Sequence, residues 1–244
     1  MSTHPVLVNT GHGLIGAIIT EPDGNPRRAA AILFEGREGR RSGVNQVWTL
    51  TARELAGMGV TVLRLDYPGW GDSWAVPPGI PPGLPMREVI AWFRERVGDV
   101  DLLFIGACFG SRLAAAVATE VPNVVGLALV NPYVRIPPSK KFTARARRAV
   151  TRLAGRSPRE RFDRSLKDVF RGAFRTVPSL AIVADGDGRT PAFMTMQRTL
   201  REEGVPLEVQ TFSGAGNRTL GGQREGRERV VAWARSRLHE LSPR

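Results

Sequence analysis

The stretch Leu102-Leu103-Phe104-Ile105-Gly106-Ala107-Cys108-Phe109-Gly110-Ser111 decides the fold. An apolar run of strand length ends in Gly-x-Cys-x-Gly, and the alanine-rich helical pattern from Leu113 to Ala118 follows at once. Strand, tight turn and helix in that order are what a nucleophile elbow requires. Glycines on either side let the backbone turn sharply, so the residue between them stands at the top of the sheet. The N-terminus of the helix beneath it favours an anion. That residue is Cys108, the only cysteine in the chain. The competing reading is a buried structural cysteine at a strand end.

Outward from the elbow, short apolar runs alternate with helical patterns. Ala29–Phe34, Val60–Leu65, Val124–Val130 and Leu180–Ala184 read as buried strands, and Leu207–Phe212 as a further one. Helices are expected from Asn45, as its cap, to Met58, from Met86 to Val97, after Pro191 as far as Gly204, and through Val230, Val231, Trp233 and Leu238. Residues 5–20 alternate apolar and polar around Gly11 and Gly13, as a β-hairpin does. Ala75–Pro85 carries five prolines and reads as a stiff, extended connection. Continuous apolar strands separated by helices belong to a mostly parallel sheet covered on both faces, an α/β fold.

The chain has 244 residues, enough for one large α/β domain. A single cysteine forms no internal disulfide and suits a reducing, cytoplasmic setting. The first residues show no signal-peptide pattern and no apolar run approaches a membrane span, so a soluble protein is expected. Charge is concentrated in one place. Residues 133–177 hold fourteen Lys or Arg against Glu160, Asp163 and Asp168, nearly the whole of the chain's net charge of +12. Phe142, Ala146, Val150, Leu153, Phe162, Leu166, Phe170 and Phe174 recur there at helical intervals, which suggests amphipathic helices with basic outer faces. Such a segment suits an anionic small-molecule substrate, or an acidic acyl carrier protein that presents one. It has little aromatic interleaving and no nucleic-acid motif, which argues against nucleic acid as the partner.

Four landmarks, in order, resemble the α/β-hydrolase fold over nearly all of the chain. Arg64-Leu65-Asp66-Tyr67-Pro68-Gly69-Trp70-Gly71-Asp72-Ser73 is similar to the family's strand-end loop, and Cys108 follows at the elbow. Ala181 to Pro191 resembles the strand and turn that deliver the triad acid, with Asp187 as the best match, and Phe212 to Asn217 resembles the histidine loop. The resemblance implies a core of residues 1–132 and 178–244, with 133–177 as a cap inserted over the site. It implies no cofactor and no metal.

Two departures bear on chemistry. Asn217 stands where the family has histidine, and the chain's histidines, His4, His12 and His239, match no motif position. An amide orients groups but does not shuttle protons as imidazole does. Glu35-Gly36 stands where many relatives have His-Gly, and a carboxyl group partly buried there would titrate high. Its alternative is a solvated acid paired with Arg37 or Arg41. Asp187 and Asn217 also read as ordinary turn residues. The implied oxyanion donors are the backbone N–H of Phe109 and one at Gly36. Phe34-Glu35-Gly36 with Arg41-Ser42-Gly43-Val44-Asn45 and Gly-x-Cys-x-Gly resembles hydrolase-like proteins of polyketide pathways, some of which eliminate acetate from an acetylated tetronate. Expected functions are therefore carboxylate elimination from an ester, with Glu35, Asp187 or Cys108 as base, a cysteine esterase or thioesterase, or a binding protein that lost its triad.

Overall fold

A computed structural model describes residues 1–24, 29–36, 41–77, 80, 83–134, 158–214 and 220–241. Eight strands form one sheet in the order β1-β2-β4-β3-β5-β6-β7-β8. They are β1 (Ser2–Thr10), β2 (Gly13–Glu21), β3 (Ala29–Phe34), β4 (Thr61–Leu65), β5 (Asp101–Ala107), β6 (Val124–Val130), β7 (Ser179–Ala184) and β8 (Glu208–Phe212). The hairpin β1–β2 pairs antiparallel and joins β4 antiparallel. From β4 to β8 every pairing is parallel. The chain thus has the α/β-hydrolase fold.

Alternation along each central strand divides the core into two layers. Ile32, Phe34, Leu102 and Phe104 face one side and meet helices α2 (Gly83–Val97), α3 (Gly110–Ala118), α4 (Pro158–Thr176) and α5 (Thr190–Glu202). Ala31, Leu33, Leu103 and Ile105 face the other and meet α1 (Val47–Gly57) and α6 (Leu220–Glu240). Every residue of β3 and β7 is buried, as two covered faces demand. Phe93, Phe104, Phe170, Phe174 and Phe193 are among the largest fully buried side chains and lie in the first layer.

The structure corrects the reading of Asn45. It does not cap a helix. It sits at φ 53° inside a short helical turn, Val44–Gln46, and its Nδ2 donates to Gln223 Oε1 at 2.9 Å. An asparagine tolerates this left-handed conformation better than most residues, and its amide is used across the fold instead of along the chain. Helix α2 starts at Gly83, ahead of the expected Met86, because a proline such as Pro85 is accommodated in a first helical turn.

Of the basic segment, residues 135–157 lie outside the described residues, and with them the expectations for Arg145, Arg147, Arg148 and Arg152. Helix α4 is continuous over Pro158–Thr176. Its Leu166, Phe170, Ala173 and Phe174 are buried in the same layer as α3. Lys167 and Arg171 both pair with Glu203, just past the end of α5.

Candidate active site

Cys108 closes β5 with φ at 50°, a strained left-handed conformation held from both sides. Its N–H donates to Val130 O at 2.9 Å, and its carbonyl accepts from Tyr133 N at 3.1 Å. Both flanking glycines are obligatory. A Cβ on Gly106 would lie 2.8 Å from the Gly110 oxygen and from the Ser111 Cα, and one on Gly110 would overlap the carbonyl oxygens of Phe34 and Glu35. Buried Ser111 donates to Gly106 O at 3.0 Å and closes the turn from beneath. Cys108 and Phe109 remain partly exposed. Phe109 precedes the first turn of α3, where an N–H has no intrahelical acceptor.

Gly36 lies against the elbow: a Cβ there would be 3.3 Å from the Cys108 Cβ and 3.8 Å from its sulfur. Tyr67 pins this loop, its hydroxyl donating to Glu35 O at 2.6 Å. The Tyr67 ring meets that of Phe109 edge-on, and the Arg112 guanidinium stacks on the opposite partner, Phe109, at 5.2 Å. Burial, with Glu35 and Cys108 adjacent, holds the Tyr67 hydroxyl well above its usual range, so it stays a neutral donor.

The Glu35 side chain points elsewhere. Following Leu33 in alternation, it turns to the α1–α6 side and borders a cavity of about 50 Å³ with Val44, Val47, Trp48, Ala107, Val130, Gln223, Gly226, Arg227 and Val230. Neither Cys108 nor Asp187 lines that space. Although the residue surface is partly exposed, Oε2 is buried with no hydrogen-bond partner among the described residues; Arg37, one of the two partners expected for it, lies outside them. Desolvation pushes the carboxyl group up to about 8, against the opposing effect of the Gly36 N–H bonded to it. Arg41 is no partner for it, being bound to buried Asp66 and to Asp72. Ser73 bridges Gly16 N and Asp66 O, each at 2.9 Å, so the loop of Asp72 and Ser73 is structural.

A raised acid binds a proton in the folded state that the unfolded chain has already lost. Its contribution to stability is complete below about pH 4.5 and is lost as pH rises towards about 8. Glu35→Gln, which keeps the shape without the charge, should stabilise the protein by roughly 3 kcal/mol at pH 7 and by almost nothing near pH 4.5. Urea unfolding at several pH values measures this. Equal effects at both ends would mean that the carboxyl group is solvated.

Asp187 is buried, 5% exposed, in the turn between β7 and α5. Its Oδ1 accepts from Arg189 N at 2.9 Å and from Arg189 Nε at 2.7 Å, and its Oδ2 meets a second guanidinium nitrogen of Arg189. Cys108 lies close enough to the same guanidinium to act on its charge. The hydrogen bond to Asp187, with Cys108 adding to it, holds Arg189 above its usual range despite partial burial. Asp187 thus binds, and Cys108 lies near, the same permanent cation. In a catalytic triad an imidazole fills that place.

Arg189 is the functional candidate that sequence reasoning missed. The signal was Asp187-Gly188-Arg189, a cation two residues past the presumed acid, but only the placement of Cys108 gives it meaning. Asp185 accepts from Gly214 N at 2.9 Å and Ser213 Oγ at 3.1 Å, so the segment leading to Asn217 departs beside the acid turn. Asn217 itself lies outside the described residues. His4 and His12 are held near Glu21 and Glu88, and His239 lies in the last turn of α6. Among the described residues no group of His, Cys, Asp and Glu is arranged to hold a metal ion, and no helix is long and apolar enough to cross a membrane.

Comparison with solved structures places this geometry. An alpha-beta serine hydrolase homologue from Coxiella burnetii superposes with a TM-score of 0.67 at 22% identity, covering 95% of this chain and 97% of that one. A thioesterase domain from the curacin biosynthetic pathway gives 0.67 at 15% identity, with 96% and 99% covered. Est1E from Butyrivibrio proteoclasticus, solved with ferulic acid, gives 0.74 at 15% identity, again with 96% and 99% covered. These likenesses are of fold. No curated protein sequence matches the chain. The sequence model of the alpha/beta hydrolase family matches residues 40–239, which span the strand-end loop, the elbow, the acid turn and the last helix. The chain belongs to the alpha/beta hydrolase family.

Proposed function

We propose that this protein is a cytoplasmic enzyme of specialised, polyketide-type metabolism that cleaves an ester C–O bond of a small molecule by eliminating a carboxylate such as acetate. The observation that carries this reading is the guanidinium of Arg189, bound by Asp187 and near enough to Cys108 for the two to interact electrostatically. Arginine does not give up its proton in a protein, so it relays none between an attacking water and a leaving group. Elimination needs no such relay. Cys108, as thiolate, takes a proton from the carbon next to the C–O bond. A C=C bond forms, the C–O bond breaks, and its electron pair departs with the carboxylate. The thiol then returns its proton to solvent. The Phe109 N–H and a backbone donor at Gly36 supply the oxyanion site, and the Asn217 amide holds the departing acid.

Of the three candidate bases, Glu35 borders the separate cavity and Asp187 is committed to Arg189, which leaves Cys108. Glu35 then serves to set the Gly36 loop. The tetronate resemblance rests on sequence alone. The second reading, a cysteine esterase or thioesterase, is favoured by the strained apex at Cys108, the usual seat of a nucleophile. The test is the product formed from a β-acetoxy carbonyl compound. The proposal expects an alkene and acetate by NMR; a free alcohol as the first product overturns it.

The basic segment gives a further prediction. Reversing several of Arg145, Arg147, Arg148 and Arg152 should raise KM for an anionic or carrier-borne substrate by roughly tenfold at low salt and much less at high salt. Steady-state kinetics across ionic strength checks this, and a salt-independent fall in kcat alone would contradict it.

A further inference from the structure

The cavity between α1 and α6 gathers polar groups that the chemistry at Cys108 does not use. Glu35, Trp48 and Arg227 all line it, each from a different part of the chain: the end of β3, the first turn of α1, and α6. Glu35 Oε2, Trp48 Nε1 and Arg227 Nε are each buried without a hydrogen-bond partner among the described residues. We propose that this cavity binds a small monocarboxylate, of the size of formate or acetate, at a site separate from the elbow.

A buried polar group without a partner is costly, and several around one space point to a ligand that satisfies them together. An indole N–H and a guanidinium N–H only donate, so the ligand must accept. Trp48 is 4% exposed, which keeps its N–H from bulk solvent. Arg227 Nε lies 3.3 Å from Glu54 Oε1, an ion pair without the alignment of a hydrogen bond, and the Glu54 side chain is itself 39% exposed. The guanidinium therefore keeps a buried donor for a second anion. Glu35, held protonated by its burial, adds an O–H in place of a repelling charge. Donors of these three kinds suit the two oxygens of a carboxylate, and an anion is tolerated in such a place only beside a cation. Val47, Ala107, Val130 and Val230 leave the rest of the wall apolar, as a short alkyl end requires. The volume of about 50 Å³ is room for about three or four waters, or one molecule of about four heavy atoms. Val44, more than half exposed, forms the wall towards solvent. Since neither Cys108 nor Asp187 lines this space, the site is independent of the reaction at the elbow.

Titration of the intact protein with sodium acetate, followed by NMR of the tryptophan indole N–H groups, tests this. The chain has five tryptophans, and the signal missing from Trp48→Phe is that of Trp48. This signal should move downfield and saturate with a midpoint of about 1–10 mM, within reach of a ligand of four heavy atoms. Arg227→Gln should weaken binding by about thirtyfold, and Trp48→Phe, followed by calorimetry, by about tenfold. Neutral acetamide at the same concentrations should bind at least tenfold more weakly than acetate. Alkylating Cys108 with iodoacetamide beforehand should leave the acetate midpoint unchanged, which separates this site from product binding at the elbow. Melting curves establish that each variant is folded; if one is not, the unaltered protein still decides through acetate, acetamide and alkylation. No saturation below about 100 mM would mean that water or the chain's own side chains fill the cavity, and would overturn the proposal. So would acetamide binding as tightly as acetate, undiminished affinity in folded Arg227→Gln, or loss of binding on alkylation. None of these outcomes bears on whether Cys108 eliminates or hydrolyses.

Discussion

Cys108→Ala should lower turnover by two or more orders of magnitude, and Asp187→Asn should do nearly the same by a different route. Alanine at 108 removes the only group at the apex that takes a proton or attacks a carbon. It leaves the elbow intact, because the turn is held by Gly106, Gly110 and Ser111 rather than by the thiol. Asparagine at 187 presents one acceptor where the carboxylate presents two, so Arg189 loses half of its bidentate hold and is no longer fixed near Cys108. Single-turnover kinetics on purified variants with unchanged melting temperatures checks both. Near-native rates in the two single variants would remove Cys108 and Asp187 from the chemistry and favour a binding protein.

Gly110→Ala should cost about 4 kcal/mol or more, enough to prevent accumulation of folded protein. The added methyl has nowhere to go: it meets two carbonyl oxygens of the neighbouring strand end, those of Phe34 and Glu35, and backbone does not yield as a flexible side chain does. Relief would require β3 and α3 to separate, which breaks the contact between Gly36 and Cys108 as well. By contrast Gly57→Ala, where a Cβ meets nothing, should be neutral or slightly stabilising. Denaturant midpoints of the two variants measure the difference. A Gly110→Ala protein within about 1 kcal/mol of the parent would mean that the loop and the elbow are farther apart than described.

The fold was legible because its signals are local. The continuous apolar runs of β3, β5, β6 and β7 admit few other placements, and Gly-x-Cys-x-Gly between a strand and a helix fixes what the turn does. Asn45 misled because a capping residue and a left-handed turn residue look alike in sequence; its amide is spent on Gln223, far along the chain, and no local rule reveals that. The site was half legible. Cys108 and Asp187 stand at motif positions, so order along the chain suffices to propose them as a pair. Glu35 was recognisable as an unusual acid, but which way it faces depends on the alternation of β3 and on how α1 and α6 leave a cavity between them. Arg189 was hidden because a long side chain acts far from its own Cα.

The most direct test of elimination without an attacking water is the fate of solvent oxygen. The purified enzyme is given a β-acetoxy carbonyl substrate in oxygen-18 water, and the released acetate is analysed by mass spectrometry within a single turnover. Elimination breaks the alkyl C–O bond, so both acetate oxygens come from the substrate, and the account predicts unlabelled acetate together with the unsaturated product. Acetate carrying one solvent oxygen, or a mass increase of one acetyl group on Cys108, would show that water or the thiol attacks the acyl carbon and would contradict it.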